Sequence, residues 1–298
     1  MLTPQPRDRC SLRSLAADEP LAGTASTIQH WLLVEHAGPW GRDGLLDARL
    51  PAGLGRDLRA LEGRTGARVL LIRKPHRVPE YDDGTVLCFA IDARDAWLGF
   101  AAVGVIENSL ELDPRDRSSF ITTPQPLFVV CTHGRRDPCC AERGRPLVER
   151  LAASFPDVTW ESTHVGGDRF AGNVVAFPHG LYHGRVEPEE GPEIAAGYHE
   201  GRIARLDRYR GRSSDPFHVQ AAERALREHL GLDRIDAVTP EGSDRRGSAM
   251  EVTFATANGR RRVRLARTIG APMRLTCHAS HDHAPPVWRV LEIERADD

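Results

Sequence analysis

The chain lacks any apolar run of the ~18 residues that a membrane span requires. Residues 1–20 also lack the apolar stretch of a secretory signal, so the expected location is the cytoplasm. Acidic and basic side chains nearly balance, and a net charge of −2 gives neither nucleic acid nor an anionic membrane a strong attraction. We therefore expect no nucleic-acid partner and no membrane partner.

Several catalytic signatures are missing as well. The sequence has no Cys-x-x-Cys pair, which disfavours a disulfide oxidoreductase. The glycines of HVGGDRFAG follow neither the GK[ST] nor the GxGxxG pattern of a phosphate-binding loop. No pair of carboxylates is placed as glycoside hydrolysis requires. The sequence therefore predicts no catalytic residues.

Cysteine is scarce but clustered. Without an export signal, six cysteines in 298 residues are not expected to form a disulfide framework. Three of them lie within ten residues, which in a reducing compartment indicates metal or redox chemistry. The six are Cys10, Cys88, Cys131, Cys139, Cys140 and Cys277.

In the segment CTHGRRDPCC, eight residues separate the thiol of Cys131 from that of Cys140. Cys131 ends a predicted apolar strand, and the loop after it is long enough to bring Cys140 back beside it. HVGGD then supplies His164 and Asp168 on a turn whose glycines permit positive φ. Thiolate, imidazole and carboxylate together suit iron or zinc, so these four donors predict a metal site.

Cys139 is a further thiol next to Cys140. Adjacent side chains in an extended segment point to opposite sides, so both thiols are not expected to bind from that geometry. Cys139 either packs inward or replaces a weaker donor. For the whole set, a structural zinc site, a redox thiol pair and ordinary buried thiols are the alternatives. A separate segment, CHASHDH (277–283), fits no zinc spacing and is predicted to be a surface loop.

Two halves of the chain repeat one pattern, in which an apolar strand is followed by a Gly-containing loop, a helix, a strand and a hairpin. The first half has predicted strands at 30–36, 67–75, 85–92 and 97–105 and a helix at 54–66. The second has predicted strands at 126–131, 158–163, 173–177 and 181–186 and a helix whose first turn contains Pro146. Two helices, at 193–211 and 217–231, and short strands that include 273–279 are predicted to follow.

The run CTHGRRDPCCAERGRPL, followed by THVGGDRFAGNVVAFPHGLYHGRV, resembles the sucrase/ferredoxin-like proteins. The matching block covers roughly 126–187, and weaker similarity extends across the first half. The resemblance implies a thioredoxin-like ferredoxin fold that holds one [2Fe-2S] cluster. It assigns Cys131 and Cys140 to the thiolate ligands and His164 to the first of two histidine ligands.

The family's second histidine position is occupied here by Asp168. The fourth ligand is then Asp168 through oxygen, Cys139 in its place, or water or a remote residue, and Asp168 has the fitting position and spacing. A carboxylate in place of an imidazole adds negative charge to the site. The centre is therefore predicted to be more reducing than that of a two-histidine relative.

Five arginines crowd the second half, where they form either a solvated surface or a docking site for an acidic redox partner protein. They are Arg135, Arg136, Arg143, Arg145 and Arg169.

Together these features predict an α/β protein with two thioredoxin-like lobes in tandem and a small C-terminal α+β region. The predicted divisions are an N-terminal lobe without cluster ligands (1–118), a ferredoxin lobe with the cluster site (119–190) and a helical pair with a small sheet (191–298). The predicted function is single-electron transfer rather than catalysis. The alternatives are a thiol-dependent redox enzyme that uses Cys139 or Cys140 and a zinc-stabilised binding module.

Overall fold

The computed structural model describes residues 9–76 and 84–296, in which the strands form two separate sheets. A ten-stranded sheet carries most of the chain, and a four-stranded sheet lies near the C-terminal end. Residues 1–8, part of the stretch interpreted above as lacking a signal sequence, lie outside the described residues. Within those ranges the structure contains no helix that is both long and apolar enough to cross a membrane.

The first lobe is a four-stranded unit preceded by a short helix. Its elements are α1 (Cys10–Ala16), β1 (His30–Glu35), α2 (Leu54–Thr65), β2 (Arg68–Arg73), β3 (Val86–Asp92) and β4 (Trp97–Val103). Strands β1 and β2 run parallel with α2 between them, β3 is antiparallel to β1, and β4 is antiparallel to β3. The strand order is therefore β2-β1-β3-β4.

The second lobe repeats this connectivity. Its elements are β6 (Leu127–Cys131), α3 (Pro138–Ser154), β7 (Thr159–Ser162), β8 (Val174–Phe177) and β9 (Leu181–His183). The short strand β5 (Ile121–Thr122), which precedes them in the chain, pairs with β4 at the edge of the first lobe. The order β7-β6-β8-β9, with β6 and β7 parallel and the others antiparallel, matches the first lobe and is the four-strand order of a thioredoxin-like fold. The predicted repeat and the fold class are confirmed. Antiparallel pairing of β2 with β7, where Ile72 faces Ser162, joins the lobes into one sheet.

The C-terminal part begins with elements that cover the second lobe and ends in the small sheet. Its elements are α4 (Glu190–His199), β10 (Tyr209–Arg212), α5 (Phe217–Leu230), β11 (Thr239–Arg246), β12 (Ala249–Ala255), β13 (Arg261–Ile269) and β14 (Pro286–Arg295). Strand β10 pairs with β9 at the edge of the large sheet. Helix α5 packs its apolar face on the small sheet, where Leu226 and Phe254 share one buried cluster.

Two of the predicted C-terminal elements are wrong. The helix predicted over 193–211 ends at His199, because the chain turns at Gly201, whose φ is +73°, and residues after it pair with β9. The helical periodicity of that segment is therefore overridden by hydrogen bonds to the neighbouring strand β9. The strand predicted over 273–279 is a loop, in which only an isolated bridge from Met273 to His283 is formed among the described residues.

Helix α3 begins eight residues before the predicted start at Pro146, so Pro146 lies inside the helix. The start is set by Asp137, whose side chain accepts the backbone N–H of Cys139, and by Pro138 in the first turn. These two local signals place CC at the head of a helix rather than in a loop.

The predicted divisions at 118/119 and 190/191 stay predictions about folding units. The large sheet runs across both of them, because β2 pairs with β7 and β9 pairs with β10. Residues 1–8 and 77–83 of the predicted first lobe lie outside the described residues.

Side-chain alternation along the central strands separates two buried layers. On β6, Val129 and Cys131 face a core shared with Trp31 of the first lobe, whereas Phe128 and Val130 face helix α3. Helix α3 also approaches the end of β6 closely: a Cβ added to Gly144 would lie 2.2 Å from the carbonyl oxygen of Cys131. Only glycine permits this approach without a shift of the helix.

We expect Gly144→Ala to destabilise the protein by about 1–3 kcal/mol, because the added methyl group overlaps backbone that has no room to move. Gly63→Ala is the matched control in α2, where a Cβ would meet nothing within 4 Å. This substitution should stabilise the protein by about 0.5–1 kcal/mol, because alanine favours the helix more than glycine does. Urea unfolding midpoints compare the two variants. Equal effects of the two substitutions would contradict the close approach.

Candidate metal centre

Cys131 and Cys140 meet where β6 ends and α3 begins. Alternation along β6 turns Cys131 to the core face of the sheet. Asp137 accepts the backbone N–H of Cys139 at 2.9 Å, and Pro138 supplies the fixed φ of a helix start. The helix therefore begins in time for Cys140 to lie in its first turn, where it joins the same buried cluster as Cys131.

His164 and Asp168 lie on the glycine turn that follows β7. Gly166 and Gly167 have φ values of +103° and +78°, in the region that disfavours other residues. A Cβ on Gly166 would lie 2.3 Å from Oγ of Ser26. The two glycines thus serve both the backbone conformation and the packing of the turn.

The buried guanidinium of Arg210 holds this glycine turn from behind. It donates to the carbonyl oxygen of Gly166 at 3.2 Å, to Oδ1 of Asn173 at 2.7 Å and to Oγ1 of Thr24 at 3.0 Å. Arg210 is 1% exposed, so its guanidinium is solvated by these uncharged oxygens rather than by water. Sequence reasoning missed it, because the segment around it was predicted to be helical.

The predicted donors converge. The ligating atoms of Cys131, Cys140 and His164 all lie within 4.8 Å of one another. Oδ1 of Asp168 accepts from Sγ of Cys140 at 3.2 Å and lies 2.9 Å from Nδ1 of His164. We call these four residues the central site. The role of each as a ligand stays a prediction.

Contacts within the central site favour the charged forms of Cys131, His164 and Asp168 over their neutral forms. The hydrogen bond from Cys140 lowers the pKa of Cys131 well below its usual value, and the same contact raises the pKa of Cys140. Burial alone would lower the pKa of His164, but its contacts with Asp168 and Cys131 outweigh burial and raise that pKa to about 9. Burial likewise favours a neutral Asp168, yet His164 holds the pKa of that carboxyl below its usual range.

One nitrogen of the central site has, among the described residues, an ion-pair partner but no aligned hydrogen bond. Nδ1 of His164 is buried and makes no aligned hydrogen bond within the described part of the chain, although the Asp168 carboxylate is close. Leaving such a nitrogen unsatisfied is costly. A cation bound among two sulfurs, a nitrogen and an oxygen would remove that cost, and this donor chemistry suits zinc or iron. The residues present therefore fit a bound metal or cluster.

His164 is the member of the central site nearest to solvent. Its side chain is 24% exposed, whereas Asp168 is 2% exposed and Cys131 and Cys140 are each 1% exposed. His164 borders a cleft of about 230 Å³. The cleft's charged lining residues are Arg42, Arg59, Arg68, Arg136, Asp43 and Glu62. Four arginines against two carboxylates make the cleft positive.

The five arginines noted in the sequence do not form one exposed patch. Arg169 binds the nearly buried Glu19 at 2.8 Å, and Arg143 lies 3.7 Å from Glu187. The exposed members are Arg135, Arg136 and Arg145. Arg136 is the one that also lines the cleft beside His164.

Cys139 turns away from the central site into a second buried group. Its Sγ lies 3.6 Å from Sγ of Cys10 and 3.4 Å from Sγ of Cys277. Sequence reasoning missed these two cysteines, which lie 267 residues apart along the chain. The loop 277–283 does expose its histidines, but Cys277 itself is 7% exposed. The available signal was that Cys139 must point away from Cys140.

Known proteins share parts of this chain. A family model described as sucrase/ferredoxin-like matches residues 21–211. A protein named "Altered inheritance of mitochondria protein 32" from Meyerozyma guilliermondii is 35% identical over 119 residues, which is 35% of this chain and 39% of that protein. Its namesake from Debaryomyces hansenii is 34% identical over 74 residues, 22% of this chain and 27% of that protein. The matches therefore span well under half of either relative.

Two solved structures are also similar, both single Cys-to-Ser variants of the thioredoxin-like [2Fe-2S] ferredoxin from Aquifex aeolicus. One is 20% identical, with a TM-score of 0.25, and the match covers 28% of this chain and 97% of that one. The other is 23% identical, with a TM-score of 0.23, and the match covers 26% of this chain and 89% of that one. The fold assignment rests on the strand order above and not on these superpositions.

Proposed function

This chain belongs to the sucrase/ferredoxin-like family, and from that premise we propose that it is an electron carrier whose central site holds one [2Fe-2S] cluster. The observation that carries the proposal is the convergence of two buried thiols and a histidine nitrogen within 4.8 Å. When bound, the cluster supplies a centre that accepts and releases one electron.

The residues around the site have separate tasks in this proposal. Cys131 and Cys140 bind through sulfur and are shielded from water by the core shared between the lobes. His164 binds through nitrogen and extends to the cleft, which gives electrons a short path to the surface. Asp168 is proposed as the fourth ligand, because its carboxylate already contacts both Cys140 and His164. Arg210 keeps the glycine turn in place through Gly166.

The alternative of a thiol-dependent enzyme is less well supported. Cys139 is 0% exposed and Cys140 is 1% exposed, so neither sulfur is open to a substrate in this conformation. A reactive cysteine needs an accessible thiolate. An electron carrier has no such requirement, because electrons can pass through the partly exposed His164.

Protein purified without oxygen is expected to be brown and to contain about two iron and two sulfide per chain, with an EPR signal after reduction. Cys131→Ser and Cys140→Ser should lose most of the iron. Cys88→Ser is the matched control, because Cys88 is also fully buried but packs in the apolar core of the first lobe. A colourless protein that loses zinc in Cys131→Ser would favour the binding module. A colourless protein with a reactive thiol and no metal at the central site would favour the enzyme.

Asp168→His is expected to raise the reduction potential by on the order of 100 mV, because an anionic oxygen donor is replaced by a neutral imidazole. A redox titration of the two proteins side by side measures the difference. An unchanged or lower potential in the variant would refute the assignment. The EPR spectrum should also change in Asp168→Ala if Asp168 is the fourth ligand.

The positive cleft beside His164 is proposed to receive an acidic surface of a redox partner protein. Opposite charges raise the rate of encounter, and salt screens the effect. Arg136 lines this cleft together with two other exposed arginines, Arg42 and Arg59, of which Arg59 is already paired with cleft carboxylates. The rate of encounter is therefore expected to depend most on the partner's charge at the surface that faces the cleft beside His164.

We expect Arg136→Glu to slow oxidation by the anion ferricyanide several-fold at low salt and to speed oxidation by the cation hexaammineruthenium. Arg246→Glu is the control, since this side chain is 65% exposed but lies on the small sheet. Stopped-flow bleaching of the reduced protein gives both rates. Equal effects of the two substitutions, or no dependence on ionic strength, would argue against docking at the cleft.

A further inference from the structure

Three cysteines that lie far apart in the sequence meet beside the central site. Cys10 begins α1, Cys139 lies in the first turn of α3, and Cys277 lies in the loop between β13 and β14. Their sulfur atoms form a nearly regular triangle with edges of 3.4, 3.5 and 3.6 Å. We call these residues the three-cysteine group. All three are buried, and the cluster they form contains one further apolar residue, Ala171.

A buried carboxylate completes the group. Asp137 is 0% exposed, and its two oxygens lie 3.8 and 3.7 Å from Sγ of Cys10. The same oxygens accept the backbone N–H of Cys139 at 2.9 Å and that of Cys277 at 2.6 Å. Asp137 therefore fixes the backbone of two cysteines while it faces the third. One ligand atom from each of the four residues lies within 4.8 Å of the others.

Three thiols and a carboxylate make a poor apolar core but a good cation site. A buried carboxylate without a positive partner is costly, whereas a metal ion would neutralise it. A tetrahedral zinc site with Zn–S bonds of about 2.3 Å has S–S edges of about 3.8 Å, close to the triangle observed.

The surroundings also suit thiolates. Oγ of Ser11 donates to Sγ of Cys139 at 3.2 Å, and the backbone N–H of Cys10 donates to Sγ of Cys277 at 3.3 Å. Cys139 lies at the N-terminal end of a 17-residue helix, where partial positive charge favours an anion. Sulfur-rich donors select zinc over magnesium or calcium.

We propose that the three-cysteine group and Asp137 bind one zinc ion, as a structural site separate from the central site. Binding displaces the three thiol protons to solvent, and no electrons are transferred. The ion would tie α1 and the loop that carries Cys277 to the head of α3. The next residue of that helix is Cys140, so the zinc would brace one side of the central site. The zinc site uses none of the proposed cluster ligands, so the zinc proposal does not depend on the proposed electron-carrier function.

The experiment measures zinc and iron in the full-length protein, purified without oxygen from zinc-supplemented cells. The expected content is about one zinc per chain, and Cys10→Ser and Cys277→Ser should each reduce it at least about tenfold. Cys139 is left intact, because it adjoins a proposed cluster ligand. Cys88→Ser is the control for a buried cysteine, and Cys131→Ser is the control for the central site. Both should keep their zinc.

Zinc X-ray absorption of the unmodified protein gives a result even where a variant fails to fold. Three sulfur neighbours and one oxygen are expected. The proposal is overturned by absent zinc, by zinc retained in both serine variants, by zinc lost in Cys131→Ser, by a sulfur count of two, or by a disulfide between Cys10 and Cys277 in the isolated protein. Iron content reports separately on the central site, so failure of either assignment leaves the other to its own test.

Discussion

The structure depends on one close packing contact, in which the start of α3 lies against the end of β6. At Gly144 the helix comes so near to the carbonyl oxygen of Cys131 that a Cβ would lie 2.2 Å from it. This contact fixes the head of the helix, and with it Cys140, beside the strand that ends in Cys131. Parallel pairing of β7 with β6 places Ser162 opposite Cys131, so the chain reaches His164 two residues later at the same edge of the sheet. Strand β6, helix α3 and the glycine turn therefore place their donor side chains together, although these elements follow one another along the chain.

The same helix start serves two groups of side chains. Because neighbouring residues diverge, Cys140 faces the core shared by the lobes while Cys139 faces α1 and the C-terminal loop. Asp137 connects the helix start to the C-terminal loop, because its carboxylate accepts the backbone N–H of Cys139 and that of Cys277. A change in the position of the loop that carries Cys277 would therefore shift the first turn of α3. This arrangement links the C-terminal region, whose role the sequence leaves open, to the central site.

The predictable part of the molecule is the part whose contacts are local. The repeat of strand, helix and strand was visible in the apolar pattern, and the four donors of the central site fall within one such unit. The three-cysteine group was not predictable, because it joins segments 267 residues apart and only the folded chain brings them together. Strand β10 was mistaken for helix for a similar reason: its hydrogen bonds come from β9, and the local periodicity does not contain them. The role of Arg210 was missed through the same error, since its hydrogen-bond partners lie in two distant parts of the chain, at Thr24 and within 166–173.

The proposed function requires one histidine nitrogen and two cysteine sulfurs to hold a diiron cluster at the edge shared by β6, α3 and the glycine turn. Pulsed EPR of the reduced protein tests this most directly, because directly bonded nitrogen gives a strong hyperfine coupling. We expect coupling to a single histidine nitrogen. When histidine is labelled with a different nitrogen isotope, this coupling should disappear and the coupling of the label should replace it. Coupling to two nitrogens, or to none, would contradict the proposal.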